Sequence, residues 1–86
     1  MDDNTRVMKR LKIQSWRRGM KEMDLILGSF FDKNMQLLNS EEISNYESLL
    51  LQDDQVVFSW FSKQETVPLE FVDMVAKIAK FIEFSR

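Results

Sequence analysis

Along most of the chain, apolar positions recur every three or four residues and not every second one, which predicts helices and no strands. From about Asn4 to Ile13, Val7 and Leu11 stand one turn apart with Met8 beside them, among basic residues. That narrow stripe predicts a short first helix, loosely docked. From Gly19 onward, Met20, Met23, Leu27, Phe30 and Phe31 share a face that Ile26 widens, while Lys21, Asp24 and Asp32 take the other side. This is a strongly amphipathic second helix. Gly28 within it costs about 1 kcal/mol relative to alanine, so it marks a close crossing, a kink with Ser29, or a frayed last turn.

The stretch "NSEEISNYESLLL" predicts a third helix, with Asn39 or Ser40 as its cap, Glu41 and Glu42 at the positive end of the dipole, and Ile43, Tyr46 and Leu50 along one face. Asp53 or Asp54 then caps a short fourth helix, "DQVVFSWFS", in which most of Val56, Val57, Trp60 and Phe61 should be core. "SKQET" reads as a loop. Beyond it Pro68 suits a first helical turn, and Leu69, Val72, Val75, Ile78, Ala79 and Ile82 give the longest periodic stretch. The expected fold is therefore all-α, a small five-helix bundle spanning residues 1–86 as one domain, with no repeat or linker.

Composition narrows the function more than the fold. At 44% apolar and 30% charged, the chain has the profile of a globular domain. Two glycines and one proline are too few for the turns of a small β-sandwich. The six Met and seven Phe, at helical spacing, are expected to be packing residues before they are a binding groove. No apolar run approaches a membrane span, and the opening "MDDNTR" matches neither a signal nor a transit peptide, so a soluble, cytoplasmic protein without membrane insertion is expected.

The net charge of −2 conceals a gradient. Residues 1–33 hold eight basic against five acidic side chains, and the remainder holds four against nine. Nucleic-acid-binding domains carry a clear basic excess, so the gradient suits orientation toward a protein partner at least as well. Basic groups around Trp16 keep a small nucleic-acid-binding domain as an alternative, though a disfavoured one.

Neither histidine nor cysteine is present, which removes the side chains of Ser-His-Asp and Cys-His catalysis and the usual zinc ligands. The acidic pairs Glu41 with Glu42 and Asp53 with Asp54 precede apolar helical runs, where helix-start roles explain them better than general acid–base work. Gly19 and Gly28 match no phosphate-binding loop. An enzyme is not expected, and neither a metal nor a tightly bound cofactor.

"SWRRGMKEMDL" is harder to explain by stability alone. A cation near a helix start opposes the dipole, and an ion pair four residues apart is better with the acid first. A capping glycine flanked by solvated charges is one reading. The other is a polar recognition patch: Gly19 lets a partner's backbone approach, the Arg18 fork grips a carboxylate or carbonyl, and Glu22 accepts a hydrogen bond.

The stretch "RRGMKEMDLILGSFF" resembles the Arg-Gly-x-x-Glu signature of the succinate dehydrogenase flavinylation factors, the SdhE family, whose bacterial members have also been described as CptB-type antitoxins. "YESLLLQDDQVVFSWF" resembles that family's second block, and the likeness covers roughly residues 6–83. The resemblance implies a five-helix bundle that binds the flavoprotein subunit of succinate dehydrogenase, and of fumarate reductase, and promotes covalent FAD attachment; a monomer is expected. The FAD belongs to the partner. The signature maps onto Arg18, Gly19 and Glu22, with Trp16, Arg17 and Lys21 as flanking contact residues. An antitoxin of a toxin–antitoxin pair is the alternative that the resemblance leaves.

Overall fold

The computed structural model describes the backbone of residues 3–85 and the side chains of residues 4–83. Five α-helices follow one another, α1 Asp3–Trp16, α2 Lys21–Asn34, α3 Ser40–Leu50, α4 Asp54–Phe61 and α5 Val72–Ser85, with a 3-10 turn Leu69–Phe71 leading into the last. The all-α bundle expected from periodicity is the observed one, and the described residues contain no strand.

Local chemistry sets the helix starts. Asn39 opens α3 with a capping box: its Oδ1 accepts from the Glu42 N–H at 2.8 Å, and Glu42 Oε1 accepts from the Asn39 N–H at 3.0 Å. Asp53 caps α4 by accepting from the Gln55 N–H at 3.2 Å. Pro68 does not enter a first α-helical turn. It precedes the 3-10 turn, and Phe71 N–H donates back to its carbonyl. That turn shifts the phase of the apolar stripe. Leu69 is therefore 91% exposed, and Val72 and Ala79 also face water, while Phe71, Met74, Val75 and Ile78 are buried. Of the expected face of this stretch, Val75, Ile78 and Ile82 keep their place in or against the core, and Leu69, Val72 and Ala79 do not.

The Met and Phe side chains among the described residues behave as packing groups, while Met1 and the Phe84 side chain lie outside them. Met23, Leu27, Phe30 and Phe31 of α2 meet Leu11 of α1, Tyr46, Leu49 and Leu50 of α3, Val57 and Trp60 of α4, and the buried face of α5. Val56, expected inside, is exposed. Phe31 stacks on Tyr46 with ring centroids 5.1 Å apart, and Trp60 stacks on Phe71 at 5.4 Å.

Two corrections concern α1, which runs three residues past Ile13 and is firmly held. Ser15 is fully buried and donates to the Leu11 carbonyl at 2.7 Å. The Tyr46 hydroxyl reaches Ser15 Oγ at 2.7 Å and the Leu27 carbonyl at 3.2 Å, so one phenol ties α3 to both α1 and α2. At the end of α1, Trp16 lies across α2 at Gly28, where an added Cβ would stand 2.3 Å from the indole ring. Of the three roles open to Gly28, the structure selects the close crossing.

Two outcomes follow from this packing. Gly28→Ala should lower stability by about 1–3 kcal/mol despite alanine's better helix propensity, and in a Trp16→Ala background the same change should no longer destabilise, as read by chemical denaturation. Burial raises the Tyr46 phenol above its ordinary value of 10.0, opposed in part by the Ser15 hydrogen bond. A raised acid is held neutral by the fold, so its contribution is intact below pH 10.0 and is lost as pH rises beyond that value. Tyr46→Phe should cost about 1–2 kcal/mol at neutral pH and should flatten the alkaline decline of a urea-denaturation series.

Candidate functional site

The segment 17–20 joins α1 to α2 and carries Arg17, Arg18 and Gly19, with Trp16 ending α1 and Lys21 and Glu22 opening α2. Gly19 has φ of +101°, a conformation that side chains rarely adopt. A Cβ there would sit 3.7 Å from Asp54 Oδ2, an ordinary contact, so backbone conformation and not lack of room is what demands glycine. Gly19 does not cap the helix. Met20 holds that position with an extended backbone and no side-chain hydrogen bond.

Arg18 departs from the expectation. Its fork is not offered to a partner, because the molecule itself occupies it. Nε donates to Asp54 Oδ1 at 2.7 Å, one Nη donates to the Gln52 carbonyl at 2.7 Å, and the other donates to the Leu50 carbonyl. Its backbone N–H donates to Asp24 Oδ1 at 2.6 Å. The Arg18 and Asp54 side chains are only 10% and 15% exposed, so bulk water screens the pair weakly. The carboxylate-and-carbonyl recognition foreseen for Arg18 is thus met within the chain, and Arg18 is a scaffold residue of the site.

Trp16 is likewise withdrawn in part. Its ring rests on Gly28, and its Nε1–H donates to Asp32 Oδ2 at 3.1 Å, which leaves a half-buried edge. Arg17, Gly19, Lys21 and Glu22 remain exposed. Glu22 lies in the first turn of α2, where the helix dipole favours an acid. None of the ion pairs among the described residues uses it. The presented surface is therefore a glycine with no side chain to obstruct approach, a free carboxylate one turn on, and two flanking cations.

Sequence reasoning missed Asp54, Asp24 and the α3–α4 turn as parts of this site. Asp54 had been assigned to capping together with Asp53. Only Asp53 caps, and the second acid of the pair is what remains for Arg18. Leu51, between the two carbonyls that hold the guanidinium, is 79% exposed beside the same junction. The one signal available was a surplus acid after a sufficient cap, opposite a cation with no local reason to be where it stands.

The two stretches that carry the family resemblance are thus one structural unit, the first supplying the guanidinium and the second its acceptors. Residues 9–82 match the family described as flavinator of succinate dehydrogenase. The chain is 40% identical over 75 residues to a Dictyostelium discoideum protein called succinate dehydrogenase assembly factor 2, mitochondrial, covering 87% of this chain and 53% of that one. It is 41% identical over 61 residues to the protein of the same name from Saccharomyces cerevisiae, covering 70% and 38%. With assembly factor 2-B, mitochondrial, of Drosophila melanogaster it shares 31% over 74 residues, covering 84% and 47%. The chain spans about half or less of the length of these relatives. No solved structure matches it significantly.

Removing the Arg18 side chain leaves Asp54 and two carbonyls without their donor. Arg18→Ala should therefore destabilise by about 2–3 kcal/mol, and Arg18→Lys should restore only part of this, because an ammonium cannot serve the three acceptors in one plane. A thermal-unfolding series checks both.

Proposed function

The chain belongs to the family of succinate dehydrogenase flavinators, and on that premise we propose that it is an assembly factor that binds the flavoprotein subunit of succinate dehydrogenase and promotes covalent attachment of FAD. The observation that carries this reading is the family match together with the rigid, exposed junction of Arg17, Gly19, Lys21 and Glu22. The flavoprotein of fumarate reductase is a second client on the same reasoning. Protein and client meet in the cytoplasm in this reading. No helix among the described residues is long and apolar enough to cross a membrane.

The protein works here without a catalytic side chain of its own. FAD is the partner's cofactor, and the attachment chemistry belongs to a histidine of the flavoprotein, so a chain with neither histidine nor cysteine is suited to the task. What it supplies is differential affinity. A factor that binds the attachment-competent arrangement of the flavoprotein more tightly than the others raises its population, and by no more than the ratio of the two affinities. Because the factor must leave afterward, a polar interface of modest size fits the role. It acts as a monomer. The nucleic-acid alternative gains nothing from the site, since Asp54 neutralises Arg18 and leaves a phosphate only Arg17 and Lys21 there.

The test uses purified apo flavoprotein, FAD and this protein, with covalent flavin read by fluorescence in denaturing gels. Glu22→Ala should fold normally and slow attachment by about tenfold or more, and Gly19→Arg should abolish stimulation. Wild-type rates from both variants would reject the junction as the docking surface, and no stimulation by the wild-type protein would reject the proposed function.

A further inference from the structure

Asp54 stands 36 residues beyond Arg18 and on another helix, and nothing in the proposed function assigns it a role. Three observations give it one. The Arg18 fork commits each of its arms to the stretch from Leu50 to Asp54, so the α1–α2 loop is fastened to the α3–α4 junction by a side chain. The backbone N–H of the same residue donates to Asp24, which fastens the loop to α2, the helix that carries Glu22. The other oxygen of Asp54 lies 3.7 Å from the point where a Gly19 Cβ would be, so this carboxylate sits directly against the exposed glycine.

We infer that Asp54 is a positioning residue for partner docking: through Arg18 it fixes the placement of Gly19 relative to Glu22, so that the α3–α4 junction controls a surface displayed by the α1–α2 loop. The inference rests on the flavoprotein-binding reading above. Its physical basis is population. Without the carboxylate the Arg18 fork is held by carbonyl acceptors alone, and the loop samples further conformations. The partner then binds only the competent fraction, and apparent affinity falls in proportion to that fraction. If one molecule in about ten stays competent, affinity falls about tenfold.

The experiment titrates the purified flavoprotein subunit into labelled full-length protein, below the unfolding transition of every variant, and follows the Gly19 amide by nuclear magnetic resonance. Asp54→Ala should weaken binding by about tenfold and shift the Gly19 amide. Asp54→Asn, which keeps an acceptor for Nε, should stay within about threefold of wild type. Ile78→Val, a core variant on α5, should destabilise the protein without changing affinity. Because Arg18 and Asp54 act as one unit, Arg18→Ala with Asp54→Ala should bind no worse than Arg18→Ala alone.

Wild-type affinity for Asp54→Ala while Glu22→Ala is impaired would overturn the inference and leave the proposed function standing. An equal loss in Ile78→Val would also overturn it, by making general destabilisation the cause. Should Asp54→Ala not fold, wild-type affinity in Asp54→Asn despite a displaced Gly19 amide would have the same force. Undiminished binding in Glu22→Ala and Gly19→Arg as well would remove the junction as the docking surface, and no binding by the wild-type protein would sink both readings together.

Discussion

A guanidinium with every arm engaged is the constraint around which this small bundle arranges its exposed junction. Arg18 holds a carboxylate and two main-chain carbonyls from the α3–α4 turn, while its own N–H is held by α2. Loops between short helices are ordinarily the mobile parts of a domain. Here the loop inherits the rigidity of two other elements. A surface that must recognise one arrangement of a partner gains from this, because a preformed loop loses less conformational freedom on binding. Arginine suits the position for the same reason, since its planar fork serves several acceptors at fixed angles and an ammonium does not.

The core beneath supports that arrangement with a second device of the same kind. The Tyr46 hydroxyl lies between Ser15 of α1 and the Leu27 carbonyl of α2, while its ring stacks on Phe31. Trp16 rests on Gly28 and fixes the crossing of α1 over α2. The end of α1, from which the Arg17–Gly19 loop departs, is thereby located before Arg18 makes any contact. On the far side, Glu42 joins its capping role to an ion pair with Lys77 at 2.7 Å, and Asn45 donates to the Glu70 carbonyl, so α3 is tied to α5 as well. The Lys77 hydrogen bond and the Asn39 N–H hold the Glu42 carboxyl below its ordinary range.

Much of the architecture was legible in the sequence, because helix faces are written locally. Periodicity marked all five helices, and Asn39 and Asp53 were visible as caps. The phase of α5 was misread because Phe71 and Met74 are as apolar as Leu69 and Val72, and a 3-10 turn decides between the two faces without leaving a pattern. The α1–α2 junction stood out in the sequence, but the contacts that hold it did not. Charge and spacing singled out Arg18, but a contact with a residue 36 positions away has no local signature. The carboxylate and carbonyl groups that Arg18 holds belong to the chain's own α3–α4 turn. Gly19 was noticed for its missing side chain, whereas its positive φ is a property of the folded loop alone.

If the clamped junction is the face this protein presents to its partner, amide hydrogen exchange of the full-length protein with and without the flavoprotein subunit should show it. Amides of residues 17–22 should be newly protected on binding, with the groove between α3 and α5 around Asn45, Asp73 and Lys77 unchanged. Protection of that groove with the 17–22 segment exchanging as in the free protein would contradict it.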